Sequence, residues 1–241
     1  MADTPLAFPP LQVTSIAIAG EAALRFAVHR VYCVAQNYAA HAREMNTDPQ
    51  RELPAFFMKP ADAVVSAAGT VPFPLATREL HHEIELVLAL GDGGSNLDSE
   101  RARASIWGYC AGLDLTRRDL QRSAKDARGP WDVSKAFDAS APVTPIRKRS
   151  SIGEVASGRI WLAVNGVLRQ AADLAEMIWS PVEIVANLSK YFCLSPGDLV
   201  FTGTPAGVGP LVPGDVITAG IAGVEEFELR VGTSVSRSPN A

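Results

Sequence analysis

Short apolar runs separated by glycine and proline dominate the hydrophobic pattern of this chain. Glycine occurs 19 times and proline 17 times in 241 residues, and turn-forming residues between short apolar runs are typical of strands. Asn165-Gly166, between two such runs, predicts a type I′ hairpin turn, because both residues tolerate positive φ. The pattern predicts strands at 12–18, 30–35, 62–66, 83–90, 105–114, 160–164, 167–170, 198–202, 215–221 and 224–231.

Only three segments, 37–46, 116–127 and 181–192, show helical spacing. Asn37 is expected to cap the first helix. Ser180 is expected to cap the third helix, where Pro181 occupies a first-turn position. We therefore expect a β-rich α+β fold with a few short helices, in a chain that is long enough for one domain of ordinary size.

Two glutamates interrupt the apolar stretch Leu80–Leu90. Because side chains alternate along a strand, Glu83 and Glu85 are expected on one face and the intervening Ile84 on the other, in a core. Neighbouring carboxylates repel each other and lose hydration, so they need a compensating cation or a raised pKa. The alternative is a solvent-facing strand, where glutamate at alternate positions is common.

A third acid, Asp114, ends another apolar run that is rich in small residues. Together with Glu83 and Glu85 it predicts an all-oxygen site suited to magnesium, manganese or calcium rather than zinc. Three protein ligands would leave coordination positions for water and substrate.

His41 and Glu44 lie three residues apart in the first predicted helix, on one face. A carboxylate beside an imidazole orients the ring and raises its basicity, which a general base acting on water requires. The alternative is a surface pair on a solvated helix. The sequence does not show whether this pair lies near the predicted metal site.

Several further polar residues are candidates for substrate contacts. Lys59 and Lys135 follow or lie between aromatic residues, and near an anionic substrate each would supply charge-assisted hydrogen bonds. Their alternative is a surface position with the stem on apolar atoms. Gln121 would lie on a helix about two turns beyond Asp114. Thr204, in a glycine-rich loop without a P-loop lysine, is expected to offer its hydroxyl as a donor where the backbone approaches a ligand.

Charge and cysteine usage narrow the class of protein. The net charge of −4 and the pI of about 5.6 give no electrostatic reason to expect nucleic acid or an anionic membrane as a partner. No apolar run approaches the roughly 18 to 20 residues that cross a bilayer, and no secretory signal pattern is present at the N-terminus. Arg147–Arg149 is expected to be a solvated loop. Cys33, Cys110 and Cys193 have no paired spacing, so we expect reduced core thiols in a cytoplasmic protein, and a thiol nucleophile has no support.

Six segments, in this order, resemble the fumarylacetoacetate hydrolase superfamily. The resemblance spans about residues 25 to 231 and is greatest to small single-domain acylpyruvate hydrolases, especially fumarylpyruvate hydrolases of aromatic-acid degradation. The segments are NYAAHAREM at 37–45, KPADAV at 59–64, HEIEL at 82–86, GLDLTRRDLQ at 112–121, PWDVSKAFD at 130–138 and TGTPAGVG at 202–209.

The resemblance implies a mixed β-roll or sandwich-like catalytic domain at 25–241, with an N-terminal extension at 1–24 packed on it, usually in a homodimer. It implies hydrolysis of a carbon–carbon bond in a 2,4-dioxo acid of the fumarylpyruvate type, giving pyruvate and fumarate, with Mg²⁺ or Mn²⁺ as the cofactor. It also assigns roles to nine side chains. These roles are metal ligation by Glu83, Glu85 and Asp114, water activation by His41 with Glu44, catalysis by Lys135, and substrate contacts by Lys59, Gln121 and Thr204.

One position departs from the family pattern. Gln36 precedes Asn37, where many small family members have arginine, so a bidentate carboxylate clamp is lost and the substrate is less certain than the reaction class. Alternatives on the same fold are an oxaloacetate decarboxylase, a broad acylpyruvase, and a hydratase or isomerase. From a different class, the chain could be a β-rich binding protein without turnover.

Overall fold

The computed structural model describes residues 7–10, 12–45 and 53–234, and its architecture is strand-rich with short helices. The helices are α1 (Ala39–Glu44), α2 (Ser99–Ser105), α3 (Arg118–Asp126), α4 (Asp132–Lys135), α5 (Arg149–Ile152) and α6 (Pro181–Leu188), with 3₁₀ turns at Ala61–Ala63 and Leu174–Glu176. The strands are β1 (Ser15–Ile18), β2 (Glu21–Ala27), β3 (Val31–Ala35), β4 (Ala55–Lys59), β5 (Val64–Ser66), β6 (Gly69–Val71), β7 (Leu80–His82), β8 (Ile84–Leu90), β9 (Ile106–Leu113), β10 (Thr116–Arg117), β11 (Ala141–Val143), β12 (Arg147–Lys148), β13 (Arg159–Val164), β14 (Val167–Asp173), β15 (Leu199–Phe201), β16 (Gly209–Leu211), β17 (Val216–Ile221) and β18 (Glu225–Val231).

The largest sheet has the strand order β4-β3-β15-β8-β9-β11-β5, and β12 also pairs with β9. The sheet is mixed, because β15 runs parallel to β3 and β11 runs parallel to β5, whereas β8 is antiparallel to both of its neighbours. All residues of the central strand β8 are buried. This position explains the continuous apolar run Leu86–Leu90, since both faces of the strand meet apolar side chains there.

Two apolar clusters cover the two faces of β8. Leu86 belongs to the larger cluster, with Ile160 of β13 and Leu188 of α6. Val87, on the other face, belongs to a second cluster with Phe201 of β15. The larger cluster is completed by the second sheet, whose order is β14-β13-β17-β18-β6. The sequence predicted a core only on the Ile84 side of the strand, and the structure adds one on the Val87 side.

Two smaller sheets complete the described chain. The order β10-β7-β16 forms a three-stranded sheet, and β7 continues through Glu83 into β8. The hairpin β1-β2 packs on the rest of the molecule, because Ile16 joins the second cluster and Ala19 N donates to Ile146 O across 2.9 Å. The predicted boundary between residues 24 and 25 lies within β2 and stays a prediction. Residues 1–6, 11, 46–52 and 235–241 of the two predicted units are outside the described residues, and so is the last residue of the predicted helix 37–46.

The expected β-rich fold is confirmed, and each predicted strand and helix overlaps an observed one. Asn165 and Gly166 have φ values of 50° and 77°, and the flanking residues Val164 and Val167 pair directly, as a two-residue type I′ turn requires. Ser180 caps α6 and forms a capping box with Glu183. Within the described residues, no helix combines the length and the apolarity that a bilayer crossing requires.

Some local predictions were wrong or incomplete. Arg147–Arg149 is not a solvated loop, because Arg147 pairs with Tyr109 in the sheet and Lys148 forms an ion pair with Glu21. Cys193 is exposed rather than in a core. β10 (Thr116–Arg117) lies where the helix 116–127 was expected, so that prediction was wrong at its first two residues. The elements without a sequence prediction are β2, β4, β6, β7, β11, β12, β16, α2, α4 and α5. Most of them are two to four residues long, so they depend on tertiary pairing rather than on a local pattern.

Candidate active site

Strand pairing brings three carboxylates together. Glu83 joins β7 to β8, Glu85 lies within β8, and Asp114 follows β9. In the antiparallel pair β8 and β9, Ile84 lies opposite Leu113, and Asp114 N donates to Glu83 O across 2.9 Å. All three acids are buried, and each offers a carboxylate oxygen within 4.8 Å of the others. The predicted acid cluster, Glu83, Glu85 and Asp114, is therefore assembled, and its solvent-facing alternative is wrong.

Three cationic side chains contact the acid cluster. Lys135 Nζ lies 2.8 Å from Glu83 Oε2 and 2.5 Å from Asp114 Oδ2. Lys59 Nζ lies 2.9 Å from Asp114 Oδ1, and Arg118 forms an ion pair with Glu83. Three carboxyl groups therefore face three cationic side chains. Within the described part of the chain, Glu85 forms no ion pair with any of them.

Neither predicted lysine is a surface residue, so the surface alternative is wrong for both. Lys59 is 2% exposed and Lys135 is 3% exposed. Lys59 Nζ also donates to Leu115 O across 3.3 Å and to Lys135 O. Lys135 Nζ also donates to Thr116 Oγ1 across 2.7 Å. These bonds replace the hydration that a buried ammonium group loses.

The acids of the cluster differ in their proton affinities. Burial raises the pKa of a carboxyl group, but the charges of Lys135 and Arg118 outweigh it and hold the pKa of Glu83 well below its usual range. Burial raises the pKa of Glu85 well above its usual range, and the charges of Asp114 and Glu83 add to the effect. The hydrogen bond from Gly203 N to Glu85 Oε2, at 2.7 Å, opposes this rise only partly. The negative charge around Glu85 is therefore incompletely balanced.

The donor set fits a hard divalent cation. All three groups are carboxylates, which suit magnesium, manganese or calcium. Asp114 Oδ1 accepts no hydrogen bond from the described residues, although it lies 2.9 Å from Lys59 Nζ. A cation among these oxygens would give Glu85 the positive partner that it lacks among the described residues, and it would lower the pKa of Glu85.

His41 and Glu44 form the predicted pair on α1. Glu44 Oε2 lies 3.1 Å from His41 Nδ1. A carboxylate accepts hydrogen bonds, so Nδ1 carries the hydrogen and His41 Nε2 keeps its lone pair. Partial burial raises the pKa of Glu44, but the hydrogen bonds from His41 and from Gly207 N outweigh it, and the pKa is lowered. His41 is 5% exposed whereas Glu44 is exposed, so the alternative of a solvated surface position is wrong for the imidazole and holds for the carboxylate.

Asn37 anchors the start of α1 in a way that the sequence did not predict. It does not cap the helix, because Tyr38 is the N-cap residue and forms no side-chain cap bond. The Asn37 side chain accepts from Trp179 N at 2.7 Å and donates to Trp179 O at 2.9 Å and Thr202 O at 2.8 Å. A Cβ atom on Gly203, where φ is +94°, would lie 2.7 Å from Asn37 Cβ. Glycine therefore allows this close approach, which fixes α1 beside the 202–204 loop.

The acid cluster and His41 open on one cleft of about 360 Å³, counting the open space at its mouth. Glu44 and Lys59 do not line the cleft. Each of them contacts a residue that does line it: Glu44 contacts His41, and Lys59 contacts Asp114. The predicted site residues that line it are His41, Glu83, Glu85, Asp114, Gln121, Lys135 and Thr204.

The cleft also contains residues to which the sequence assigned no role. Arg118 and Lys125 line it together with Gln121. These three polar residues have the spacing i, i+3, i+7 in α3, which places them on one helix face. That spacing was visible in the sequence and could have identified the face. Lys125 contacts the ring of Trp131, with Nζ 5.4 Å from the ring centroid.

Thr204 is held by a buried network that includes Gln170. Gln170 Nε2 donates to Thr204 Oγ1 and to Pro205 O, each at 2.8 Å, and Gln170 Oε1 accepts from Ile84 N at 3.2 Å. Thr204 Oγ1 in turn donates to Ile84 O across 2.8 Å. Its single hydrogen is thus used within the protein in this arrangement, and the expected contact of Thr204 with a substrate stays a prediction. His82 Nδ1 lies 2.9 Å from Gln170 Oε1 and completes the network.

The chain is similar in sequence to known proteins over most of its length. A family model for the C-terminal part of fumarylacetoacetate (FAA) hydrolase matches residues 30–232. The fumarylpyruvate hydrolase of Ralstonia sp is 41% identical over 185 residues, which are 77% of this chain and 96% of that protein. The mitochondrial oxaloacetate tautomerase FAHD1 of Mus musculus is 39% identical over 204 residues, which are 85% of this chain and 92% of that protein.

A solved structure is also similar over nearly the whole chain. It is the crystal structure of fumarylpyruvate hydrolase from Pseudomonas aeruginosa in complex with Mn²⁺ and pyruvate. The two chains are 46% identical and have a TM-score of 0.93, and the match covers 95% of this chain and 100% of that chain. On the family match and these identities, the chain belongs to the fumarylacetoacetate hydrolase family.

Proposed function

We propose that this protein is a metal-dependent hydrolase that cleaves the bond between C3 and C4 of a 2,4-dioxo acid of the fumarylpyruvate type, giving pyruvate and fumarate. The observation that carries the proposal is that the buried acid cluster and His41, paired with Glu44, meet in one cleft. A carboxylate cluster alone would suit a bound cation. The imidazole adds a base that can activate water.

The proposed cofactor is Mg²⁺ or Mn²⁺, held by Glu83, Glu85 and Asp114. Bound there, the cation would hold the substrate's 1-carboxylate and polarise its 2-oxo group as a Lewis acid. The all-carboxylate donor set supports this assignment. The Mn²⁺ in the complex of the Pseudomonas aeruginosa relative supports it as well.

Charge balance favours a substrate with two carboxylates. Lys59, Lys135 and Arg118 contribute three positive charges against the three of the acid cluster. Adding a divalent cation leaves an excess of two positive charges. The 1-carboxylate of a dianionic dioxo acid would reduce this excess, and its second carboxylate would add negative charge to a cleft that Lys125 also lines. A neutral diketone would leave the excess buried at a cost.

The protein groups have separate tasks in the proposed reaction. His41 Nε2 takes a proton from a water molecule as the water oxygen attacks C4, and Glu44 stabilises the imidazolium that forms. Gln121 Nε2 donates a hydrogen bond to the C4 oxygen as it gains negative charge, and the positive charge of Lys135, whose three hydrogens are bonded within the protein, stabilises that charge. The C3–C4 bond then breaks, and its electron pair leaves with the pyruvate fragment, which takes up a proton at C3. The water oxygen stays in the new carboxylate of fumarate.

A second candidate is a reaction of oxaloacetate on the same site. The similarity to oxaloacetate tautomerase FAHD1 favours it, and decarboxylation was an expectation from the sequence. Loss of carbon dioxide needs no attacking water. His41→Ala should therefore suppress hydrolysis of fumarylpyruvate far more than decarboxylation of oxaloacetate.

Turnover assays test the proposal directly. Fumarylpyruvate, acetylpyruvate and oxaloacetate are supplied with Mn²⁺, and the loss of ultraviolet absorbance and the release of pyruvate are followed. Hydrolysis of fumarylpyruvate should stop with a chelator and return with Mn²⁺. His41→Ala should lower kcat by about 10² to 10⁴, whereas the control His29→Ala, at an exposed position that does not line the cleft and is paired with Asp198, should not. Hydrolysis that persists with a chelator, or full activity of His41→Ala, would contradict the mechanism.

We further propose that the chain forms a homodimer and acts in the cytoplasm in the breakdown of aromatic acids, as the sequence resemblance implies. The proposed organisation is a catalytic domain from residue 25 onward with the preceding segment packed on it, which the contacts of Ile16 and Ala19 support. Light scattering coupled to gel filtration tests the dimer. A single mass near the 25.6 kDa of one chain would contradict it.

A further inference from the structure

Lys125 differs from the other cations of the cleft. Lys135 and Arg118 both line the cleft, and both are ion-paired with acids of the cluster. Lys125 also lines it, but no carboxylate of the described residues forms an ion pair with Lys125. Lys125 instead contacts the ring of Trp131, with Nζ 5.4 Å from the ring centroid. The ammonium group is therefore available to an anionic ligand.

The position of Lys125 relative to the acid cluster follows from helix geometry. Arg118, Gln121 and Lys125 lie on one face of α3, and a rise of 1.5 Å per residue separates Arg118 from Lys125 by about 10 Å along the helix axis. Arg118 and Gln121 are 4% exposed, whereas Lys125 is half-buried. This face therefore runs from the acid cluster at the floor of the cleft to Lys125 at its mouth.

The surroundings of Lys125 favour added negative charge. Burial, and then the positive charge of Arg118, lower the pKa of Lys125. Both effects disfavour the charged form of the ammonium group, and a bound carboxylate beside it would offset them. Trp131 also holds the ammonium group by a cation–π contact, so less side-chain freedom is lost when a ligand binds.

We infer that Lys125 is a specificity-determining residue that binds the distal carboxylate of a dianionic 2,4-dioxo acid at the mouth of the cleft. The inference rests on the proposed function, which places the 1-carboxylate and the 2-oxo group of the substrate at the acid cluster. A seven-carbon acid such as fumarylpyruvate extends from there toward the mouth and carries its second carboxylate at the far end. Acetylpyruvate has the same reacting end but only a methyl group in place of the charged tail.

Two variants of Lys125 and one control isolate this contact. Lys125→Met removes the ammonium group but keeps an unbranched apolar stem, and Lys125→Arg keeps the charge. Arg122→Met is the matched control, because Arg122 is on the same helix and is paired with Glu79 outside the cleft. Arg122→Met also removes one positive charge from the protein, but it changes no residue that lines the cleft.

The measurement is the ratio of kcat/KM for fumarylpyruvate to kcat/KM for acetylpyruvate. Lys125→Met should lower this ratio by about 10- to 100-fold, which is the usual value of a hydrogen bond to a charged group. Lys125→Arg should keep most of the wild-type ratio, and Arg122→Met should leave the ratio unchanged. An unchanged ratio in Lys125→Met, or an equal fall in Arg122→Met, would overturn the inference.

A binding measurement separates this inference from the proposed function. Calorimetric titration of fumarylpyruvate into Mn²⁺-loaded His41→Ala protein gives a Kd without turnover, and adding Lys125→Met should raise this Kd by about 10- to 100-fold. If the wild type hydrolyses no dioxo acid but the Kd rises in this way, the proposed function fails and the carboxylate contact stands. If the wild type hydrolyses fumarylpyruvate but the Kd is unaffected, only the assignment of Lys125 fails.

Discussion

Gln170 donates from Nε2 to the hydroxyl of Thr204 across 2.8 Å, and both side chains are buried. The orientation of the Gln170 carboxamide is determined by backbone groups, because Ile84 N can only donate and Pro205 O can only accept. β14, which carries Gln170, is thereby tied to β8 and to the loop that forms one side of the cleft. A side chain that does not line the cleft thus fixes the position of one that does.

Gln170→Glu should destabilise the protein. The replacement removes the hydrogen bonds that Gln170 donates to Thr204 Oγ1 and Pro205 O, and it places a carboxylate oxygen beside Pro205 O. Each buried acceptor that loses its donor lowers the free energy of unfolding by about 1–3 kcal/mol. Urea unfolding should show a lower free energy of unfolding than for the wild type. Gln12→Glu makes the same chemical change at an exposed position and serves as the control. Equal unfolding midpoints for Gln170→Glu and Gln12→Glu would show that the network contributes no stability.

Glu85→Gln should weaken metal binding without lowering the stability of the folded protein. Burial, together with the charges of Asp114 and Glu83, disfavours the ionised form of Glu85 in the metal-free protein, so replacement by a neutral glutamine should cost little stability. The remaining side-chain oxygen can still accept from Gly203 N. The metal-free variant should be at least as stable as the wild type in urea, yet bind Mn²⁺ about 100-fold more weakly by calorimetry because a charged ligand is lost. Glu79→Gln, on the surface pair with Arg122, is the control, and undiminished Mn²⁺ affinity in Glu85→Gln would count against the proposed cofactor site.

Glu44 should contribute a pH-dependent part of the stability. Its pKa is lowered from the ordinary value of 4.5, because the hydrogen bonds from His41 and Gly207 N outweigh the opposing effect of partial burial. A carboxyl group with a lower pKa in the folded state stabilises the protein above its unfolded pKa, and this contribution is lost as the pH falls through the folded pKa.

Glu44→Gln should therefore unfold at a lower urea concentration than the wild type at pH 7, and this gap should close as the pH falls below about 4.5. The measurement is the urea midpoint between pH 7 and pH 3. The exposed Glu228→Gln serves as the control. A gap between wild type and Glu44→Gln that persists unchanged to pH 3 would exclude an ionised Glu44 as its cause.

Thiol labelling should distinguish the three cysteines. Burial raises the pKa of Cys33 and Cys110, so neither forms a thiolate at neutral pH or is accessible to a reagent. Cys193 is exposed. A thiol reagent should modify one cysteine in the folded protein and three in urea, and Cys193→Ser should reduce the fast reaction to zero. Rapid labelling of two or three thiols in the folded protein would contradict the buried positions.

Local patterns in the sequence determined much of the fold and the identity of the acids. The alternation of Glu83 and Glu85 around Ile84 was sufficient to predict their shared face, because side-chain direction in a strand depends only on residue parity. The Asn165-Gly166 turn and the Ser180 cap were also predicted correctly, since each depends on contacts within a few residues. Alternation could not show that the opposite face of β8, at Val87, would also be buried.

Tertiary structure decided which of these residues meet. The sequence predicted that Lys59 contacts substrate, whereas folding places it behind Asp114 and outside the cleft lining. Asn37 was expected to cap α1, but it binds backbone groups of Trp179 and Thr202 that lie more than 140 residues away in the chain. Such contacts depend on strand order and loop packing, which no local pattern encodes. The sequence therefore determined the chemical groups and their faces, and only the packing of the sheets determined which groups share the cleft.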